Sequence, residues 1–396
     1  MPYKPPQRAG ATVFVWANYS LQERDRRWRA VRENGAAAGF DCIFVPLGNG
    51  VDARYLTQLR CSSVIMPTDD RPPIIIADRS SRNEWVGEPW QTGREWSEPM
   101  AEALLEAGME RARIGVVGLK RGKVSHVSAL DGVVNHGAFA VVQQRLPNAR
   151  FEDATDVLGF VRYIKSAEEI DSMRKATAIA EEGIEELTRA ARPGVDEAVL
   201  YARVLTRMLE LGMEYAPLVL TTGMSDGSET KRSTNPPYGR RLKSGTLIRS
   251  EVNAVWGTQI AEEDQYVLLA RIPEPWKPVI ERQREVFEEG LRLMVPGKSC
   301  LELANYAKTV EHKNGVKTRI FLRGTGIGDD GPVIGGAVQA ESLKELVVER
   351  NTLWHWRPVV TTADEKIQFA RGGTVLVTEK GSEVLAKRAH GMISIA

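Results

Sequence analysis

Ser250-Glu251-Val252-Asn253-Ala254-Val255-Trp256-Gly257, running on to Ala261-Glu262-Glu263, is the stretch that decides how this chain is read. Glu251 and Glu262 stand eleven residues apart in it and read as a carboxylate pair on paired strands. Three further segments follow it: the Gly-rich run Arg323-Gly324-Thr325-Gly326-Ile327-Gly328-Asp329-Asp330, then Trp354-His355-Trp356-Arg357-Pro358, then Thr374-Val375-Leu376-Val377-Thr378-Glu379. Arg323 and Arg357 therefore accompany the acidic pair along the chain. A guanidinium is always protonated and cannot ligate a metal, so these two arginines restrict the chemistry open to the site.

The rest of the 396 residues sets the context. With 42% hydrophobic and 27% charged residues the chain is an ordinary globular one, long enough for two domains with real cores. Its 53 basic and 52 acidic side chains leave no basic footprint for nucleic acid, which points to a small-molecule or protein partner. Cys42, Cys61 and Cys300 lie far apart with no C-x-x-C spacing, so neither a disulfide framework nor a zinc site is expected, and a reducing cytoplasm fits. Met1-Pro2-Tyr3-Lys4-Pro5-Pro6 leads into no apolar leader, and no run of about 18 apolar residues crosses a membrane. The expectation is a soluble, unexported protein.

The first part alternates helical and strand signals, with a helix from Gln22 to Ala38, a buried strand at Asp41 to Pro46, further strands at Ser63 to Met66, Pro73 to Ala77 and Arg113 to Val117, and a helix over Met100 to Ala107. Asp153 to Val161 reads as a connector. A helix then starts at Ser166-Ala167-Glu168-Glu169, where a Ser N-cap with Glu three residues on satisfies two backbone donors. Ile170, Met173, Ala180, Ile184 and Leu187 share its apolar face, with Thr177 the polar member. Beyond it lies a possible duplication: Pro193-Gly194 leads to a helical stretch ending near Gly212, and Pro296-Gly297 to one ending near Gly315. Two such halves would build a pseudo-twofold domain with a site between them.

At this point the residues resemble a known family. Tyr55-Leu56-Thr57, Arg162-Tyr163-Ile164-Lys165-Ser166 and Val375-Leu376-Val377-Thr378-Glu379-Lys380-Gly381 match the creatinase, prolidase and aminopeptidase P group. The resemblance covers nearly the whole chain and implies a mixed α/β (α+β) fold, with a small creatinase-like α/β domain at 1–160 and a pseudo-twofold pita-bread domain at 161–396. In the metallopeptidase members two Asp, one His and two Glu hold a pair of divalent cations. The resemblance puts those positions on Glu251, Glu262, Arg323, Arg357 and Gly372, and a substrate-facing His on Asn235. It therefore implies no metal ligands and no cofactor here. Two carboxylates about 4 Å apart repel by roughly 4 kcal/mol at an effective dielectric near 20, so a site without dications needs replacement positive charge. Glu251 and Glu262 are expected to reach Arg323 and Arg357 and pair with them.

Each candidate has a functional and a structural reading. Glu251 and Glu262 serve as acid, base or cation binder, or else as an ion-pair network that holds the core. Asp329 and Asp330 are a catalytic carboxylate pair or ordinary turn residues. His355 is a titrating ring or a packed neighbour. Tyr238, Trp256, Trp354 and Trp356 are a pocket wall for a substrate cation or plain core. The Gly324-Thr325-Gly326 run lacks the Lys-Ser/Thr of a phosphate loop. The expected function is a metal-independent, creatinase-like hydrolase of a C–N bond in a small zwitterion. Glu251, Glu262, Asp329, Asp330 and His355 are its catalytic candidates, and Arg323, Arg357, Asn235, Tyr238, Trp256 and Trp356 its substrate contacts. The alternatives are an eliminating lyase and a non-catalytic binding module. The resemblance also implies a homodimer.

Overall fold

The computed structural model describes residues 13–14, 17–47, 50–78, 81–124, 132–214, 217–228, 232–233, 240–309, 315–335 and 343–396. The chain divides into two compact units, one of Met1–Tyr163 with Ile327–Gly331, the other of Ile164–Gly326 with Pro332–Ala396. No helix among the described residues is long and apolar enough to cross a membrane.

In the first unit α1 (Leu21–Ala37) is opened by Ser20, whose side chain accepts from the Glu23 amide, and it ends at Gly39, which takes a left-handed φ of 75°. The strands of the main sheet are β1 (Cys42–Val45), β2 (Ser62–Pro67), β3 (Ile74–Asp78), β4 (Trp90–Thr92), β5 (Arg113–Val116) and β6 (Arg150–Asp153), and a separate short ribbon pairs Val13–Phe14 with Ser81–Arg82. The main sheet is mixed, in the order β4-β3-β2-β1-β5-β6. Helix α2 (Gly50–Thr57) follows β1, α3 (Ser97–Glu106) precedes β5, and α4 (His136–Arg145) precedes β6. The segment Asp153 to Val161, read above as a connector, is instead largely the helix α5 (Thr155–Tyr163). Its Leu158 and Val161 are spaced one turn apart and buried in the same core as Val31 and Ile43. That one-sided burial makes a short helix worth forming despite its weak sequence signal.

The second unit repeats one plan twice. Helix α6 (Ala167–Ala190) begins with the capping box of Ser166 and Glu169 and buries Met173, Thr177, Ala180, Ile184 and Leu187. After Pro193-Gly194 comes α7 (Glu197–Glu210), then Gly212, then the strands β7 (Leu218–Met224), β8 (Thr246–Trp256) and β9 (Gln259–Leu268). In the second half α8 (Lys277–Leu293), Pro296-Gly297, α9 (Cys300–Thr309) and Gly315 lead to β10 (Val316–Gly324), β11 (Leu353–Thr362), β12 (Gln368–Ala370), β13 (Gly373–Thr378) and β14 (Gly381–Val384). The four glycines of this plan, at 194, 212, 297 and 315, all have positive φ between 74° and 91°, which is why glycine recurs at those stops. In the first half β8 lies between β7 and β9, and in the second β11 lies between β10 and β13, all antiparallel. Trp356 caps the inner side of α8: its ring lies against the Gly290 backbone, where a Cβ would collide with it, and its Nε1 donates to the Phe287 carbonyl at 3.0 Å.

Candidate active site

Strand alternation and register decide which side chains meet. Gly257 and Thr258 form the two-residue turn between β8 and β9, with φ of 54° and 70°, and Thr258 is buried. Two successive positive φ values match the right-handed twist of the hairpin, at a strain cost for the β-branched residue of about 1–3 kcal/mol. This turn sets Trp256 opposite Gln259, hence Asn253 opposite Glu262 and Glu251 opposite Asp264. Arg249, Glu251 and Asn253 therefore share one face with Glu262, Asp264 and Tyr266. On the second sheet Arg323 pairs with His355 and Phe321 with Arg357, so those four also share a face. Their contacts bring the two faces together.

Glu262 is nearly fully buried and is ion-paired with Arg323. His355 is completely buried between two carboxylates. Its Nε2 is within hydrogen-bond distance of Asp264 Oδ2, at 3.1 Å. Its Nδ1 stands 3.1 Å from Glu262 Oε1, an ion-pair contact without hydrogen-bond alignment. Arg357 Nη1 donates to Glu251 Oε2 at 3.1 Å and to Asp264 Oδ1 at 3.2 Å, and its guanidinium lies 5.2 Å from the Phe321 ring centre. Asn253 Nδ2 reaches Glu251 Oε1 at 3.4 Å.

These contacts push the ionisable groups in different directions. Burial raises the Asp264 carboxyl, but His355 and Arg357 outweigh it and hold it below the usual carboxylate range. Burial disfavours the His355 cation, yet Glu262 and Asp264 outweigh burial and raise it above an ordinary histidine. Glu251 goes the other way: burial, then repulsion from Glu262 and Asp264, raise it despite Arg357. Arg357 stays firmly charged.

Glu251, Asp264 and Arg357 line a cavity of about 370 Å³ with Thr221, Arg249, Tyr266, Arg319, Phe321 and Gln368. That volume suits a small metabolite. A larger groove of about 1210 Å³ lies along α6, and pairs such as Arg207 with Glu182 and Arg388 with Glu181 occupy part of its charged lining. The smaller cavity is lined by the shifted carboxylate Glu251 and by Asp264, which contacts the buried His355, so it is the better chemical candidate.

The sequence candidates separate accordingly. Glu251, Glu262, Arg323, His355 and Arg357 are brought together. Asp330 is not among them: it lies 2.7 Å from Arg162, which also pairs with Asp52, and it accepts from the Ile327 amide at 2.9 Å as a turn residue does. Asp329 offers its carbonyl to Arg162 at 3.4 Å. Trp356 is not a pocket wall, because 354 and 356 point to the opposite face from 355 and 357 and are taken up in the core. Trp256 is at the end of β8, packed on Gly212 with the Lys175 ammonium 5.4 Å from its ring centre, and does not line the cavity. Asn235 and Tyr238 lie outside the described residues. Asp264, Tyr266, Arg249 and Arg319 were missed. Asp264 was readable, since a two-residue turn at Gly257-Thr258 puts it opposite Glu251.

Residues 171–379 match the sequence profile of Metallopeptidase family M24. The chain belongs to this family. It is 25% identical over 262 residues to the ectoine hydrolase of Halomonas elongata, covering 63% of this chain and 64% of that one. It is 24% identical over 310 residues to a creatinase from a Bacillus species, covering 73% and 71%. Among solved structures, the X-Pro aminopeptidase of Thermotoga maritima superposes with a TM-score of 0.71 at 15% identity, over 93% of this chain and 99% of that chain. The prolidase of Pyrococcus horikoshii gives 0.68 at 15%, with the same coverages. These likenesses establish the M24 pita-bread fold in a mixed α/β chain with hydrolase and peptidase relatives.

Two glycines before β13 are required by packing. A Cβ at Gly372 would collide with the Asp264 carboxylate and stand 2.8 Å from Arg357 Cβ, and one at Gly373 would stand 2.7 Å from Glu263 Oε2. The glycine pair thus lets the chain entering β13 pass directly over the acidic residues of β9.

Proposed function

We propose that this M24 chain is a metal-independent hydrolase of a C–N bond, amide or amidine, in a small zwitterionic substrate. The observation that carries the reading is Glu251 and Arg357 side by side on the cavity, both partly open to it, while Glu262, Asp264 and His355 are buried behind them. A raised carboxyl is a stronger base than an ordinary one at neutral pH. Glu251 takes a proton from water as the water oxygen bonds to the electrophilic carbon. Arg357, which has donors besides Nη1, stabilises the negative charge that develops on the carbonyl oxygen. The proton held by Glu251 then passes to the leaving nitrogen as the C–N bond breaks.

The donor set argues against a pair of dications. At the positions the frame assigns to metal ligands, Arg357 is lodged between Glu251 and Asp264, Arg323 is against Glu262, and Gly372 has no room for a side chain. His355, with its raised pKa, tends to the imidazolium, which has no lone pair for a metal. The test is elemental mass spectrometry after incubation with manganese, cobalt and zinc, together with turnover of small N-acyl amino acids in the presence of EDTA. Less than about a tenth of a metal ion per chain and chelator-insensitive turnover are expected. One or two ions per chain with chelator-sensitive turnover would overturn the metal-free mechanism. Label from oxygen-18 water in the product separates hydrolysis from elimination.

The open cavity favours a ligand over a purely structural module, because polar groups gathered there without a partner are costly. A homodimer belongs to the same proposal, by analogy with the family. Sedimentation is expected to give twice the mass of one chain, and a single-chain mass at micromolar concentration would refute it.

A further inference from the structure

Arg357 in the cavity and Arg323 behind it are spent on carboxylates, but two other arginines that line the cavity are not. Arg249 and Arg319 line it beside Thr221, Tyr266 and Gln368. Arg249 stands two residues before Glu251 on β8, and Arg319 two before Phe321 on β10, so each shares the inward face one strand step along, about 6–7 Å. Register reinforces the placement, with Arg249 opposite Tyr266 and Arg319 opposite Val359. Among the described residues neither has a carboxylate at ion-pair distance, whereas Arg323 and Arg357 do.

Arg249 is held ready rather than neutralised. Its guanidinium lies 5.2 Å from the Tyr266 ring centre, one Nη donates to Gln368 Oε1 at a long 3.4 Å, and its Nε is buried with no acceptor. A buried charged donor without an acceptor is an expense that a bound anion removes. Arg319 is exposed at the cavity mouth. Of the charged residues lining the cavity, Arg357 already answers Glu251 and Asp264, which leaves this end cationic.

We propose that Arg249 and Arg319 form a carboxylate subsite that sets the substrate class: a small amide with a free carboxylate, such as an N-acylated amino acid, its acyl carbon toward Glu251 and its carboxylate between the two guanidiniums. This rests on the reading of the cavity as the substrate site. Planar bidentate donors of this kind discriminate a carboxylate from its neutral amide.

The test is calorimetric titration of the full chain at neutral pH and low salt with N-acetylglycine, N-acetyl-β-alanine and N-acetyl-4-aminobutyrate, each beside its neutral primary amide. At least one acid is expected to bind tenfold or more tightly than its amide. Arg249→Gln and Arg319→Gln should each abolish that preference, read as the ratio of acid to amide affinity. Arg319 is exposed, so its variant keeps the test valid if Arg249→Gln fails to fold. No binding of any acid to the unmodified protein, equal affinity for acid and amide, or a preference that survives both substitutions overturns the subsite. Intact preference with turnover that Glu251→Gln leaves unchanged overturns the hydrolase mechanism instead and leaves the subsite standing.

Discussion

Glu251→Gln is expected to lower kcat by about 10²–10⁴-fold with little change in KM, the range for loss of a positioned general base. Glutamine keeps the shape and the contact to Asn253, so binding geometry survives while the proton acceptor is lost. The fold should not suffer, because Glu251 is repelled by Glu262 and Asp264 and an amide relieves that repulsion. The unmodified protein should also show a characteristic pH limb in its turnover. Since the folded pKa of Glu251 lies above 4.5, the base form appears only as pH rises through that higher value, and kcat/KM climbs with it. The same sign governs stability: Glu251's contribution is fully present below 4.5 and is lost as pH rises through the folded pKa. In Glu251→Gln the limb should vanish. A variant turning over within twofold of the unmodified protein, with its acid limb intact, removes Glu251 from the chemistry.

Much of the scaffold was legible because it is written in local signals. The capping box at Ser166, the Pro-Gly stops and the paired glycines at 212 and 315 each express a backbone requirement that few other residues meet, and they marked the two halves correctly. The pairing of the acidic strand residues with Arg323 and Arg357 was expected from the family resemblance, which placed the four residues in one frame, together with charge balance, and the structure has Glu262 with Arg323 and Glu251 with Arg357. What failed was information that depends on register or on distant partners. The eleven-residue spacing drew attention to Glu262 as the mate of Glu251, whereas the turn at Thr258 makes Asp264 the cross-strand partner. Asp330 looked like half of a catalytic pair, and its engagement with Arg162 is a contact across 168 positions of sequence that no local pattern announces. Trp356 and His355 are neighbours on one strand, so identifying either as functional required knowing which face meets α8 and which meets β9. Composition says nothing about that choice, since both faces here carry large side chains.

His355→Leu is expected to destabilise the fold by about 3–5 kcal/mol at pH 5.5, because removing one partner from a buried ionic cluster leaves the others uncompensated. The ring is completely buried, 3.1 Å from oxygens of both Asp264 and Glu262, and leucine of similar bulk keeps the packing while deleting the charge. Burial alone would lower the His355 pKa, and the two carboxylates more than reverse it. Its stabilisation is therefore fully present below the ordinary value of 6.5 and is lost as pH rises through the raised folded pKa. Asp264 runs the opposite way: with a pKa held below 3.8, its contribution is present above 3.8 and fades only as pH falls through the lower folded value. Between 3.8 and 6.5 both contributions are in force, so urea denaturation in that window should show the largest gap between the unmodified protein and His355→Leu. The gap should narrow at alkaline pH, once the ring has lost its proton and leaves Glu262 and Asp264 to Arg323 and Arg357. A gap that stays constant from pH 5.5 to 10 would mean that the ring has the same pKa folded and unfolded and acts by packing alone. Asp264 would then owe its low pKa to Arg357, and the positive charge facing Glu251, Glu262 and Asp264 would come from the two arginines without the histidine.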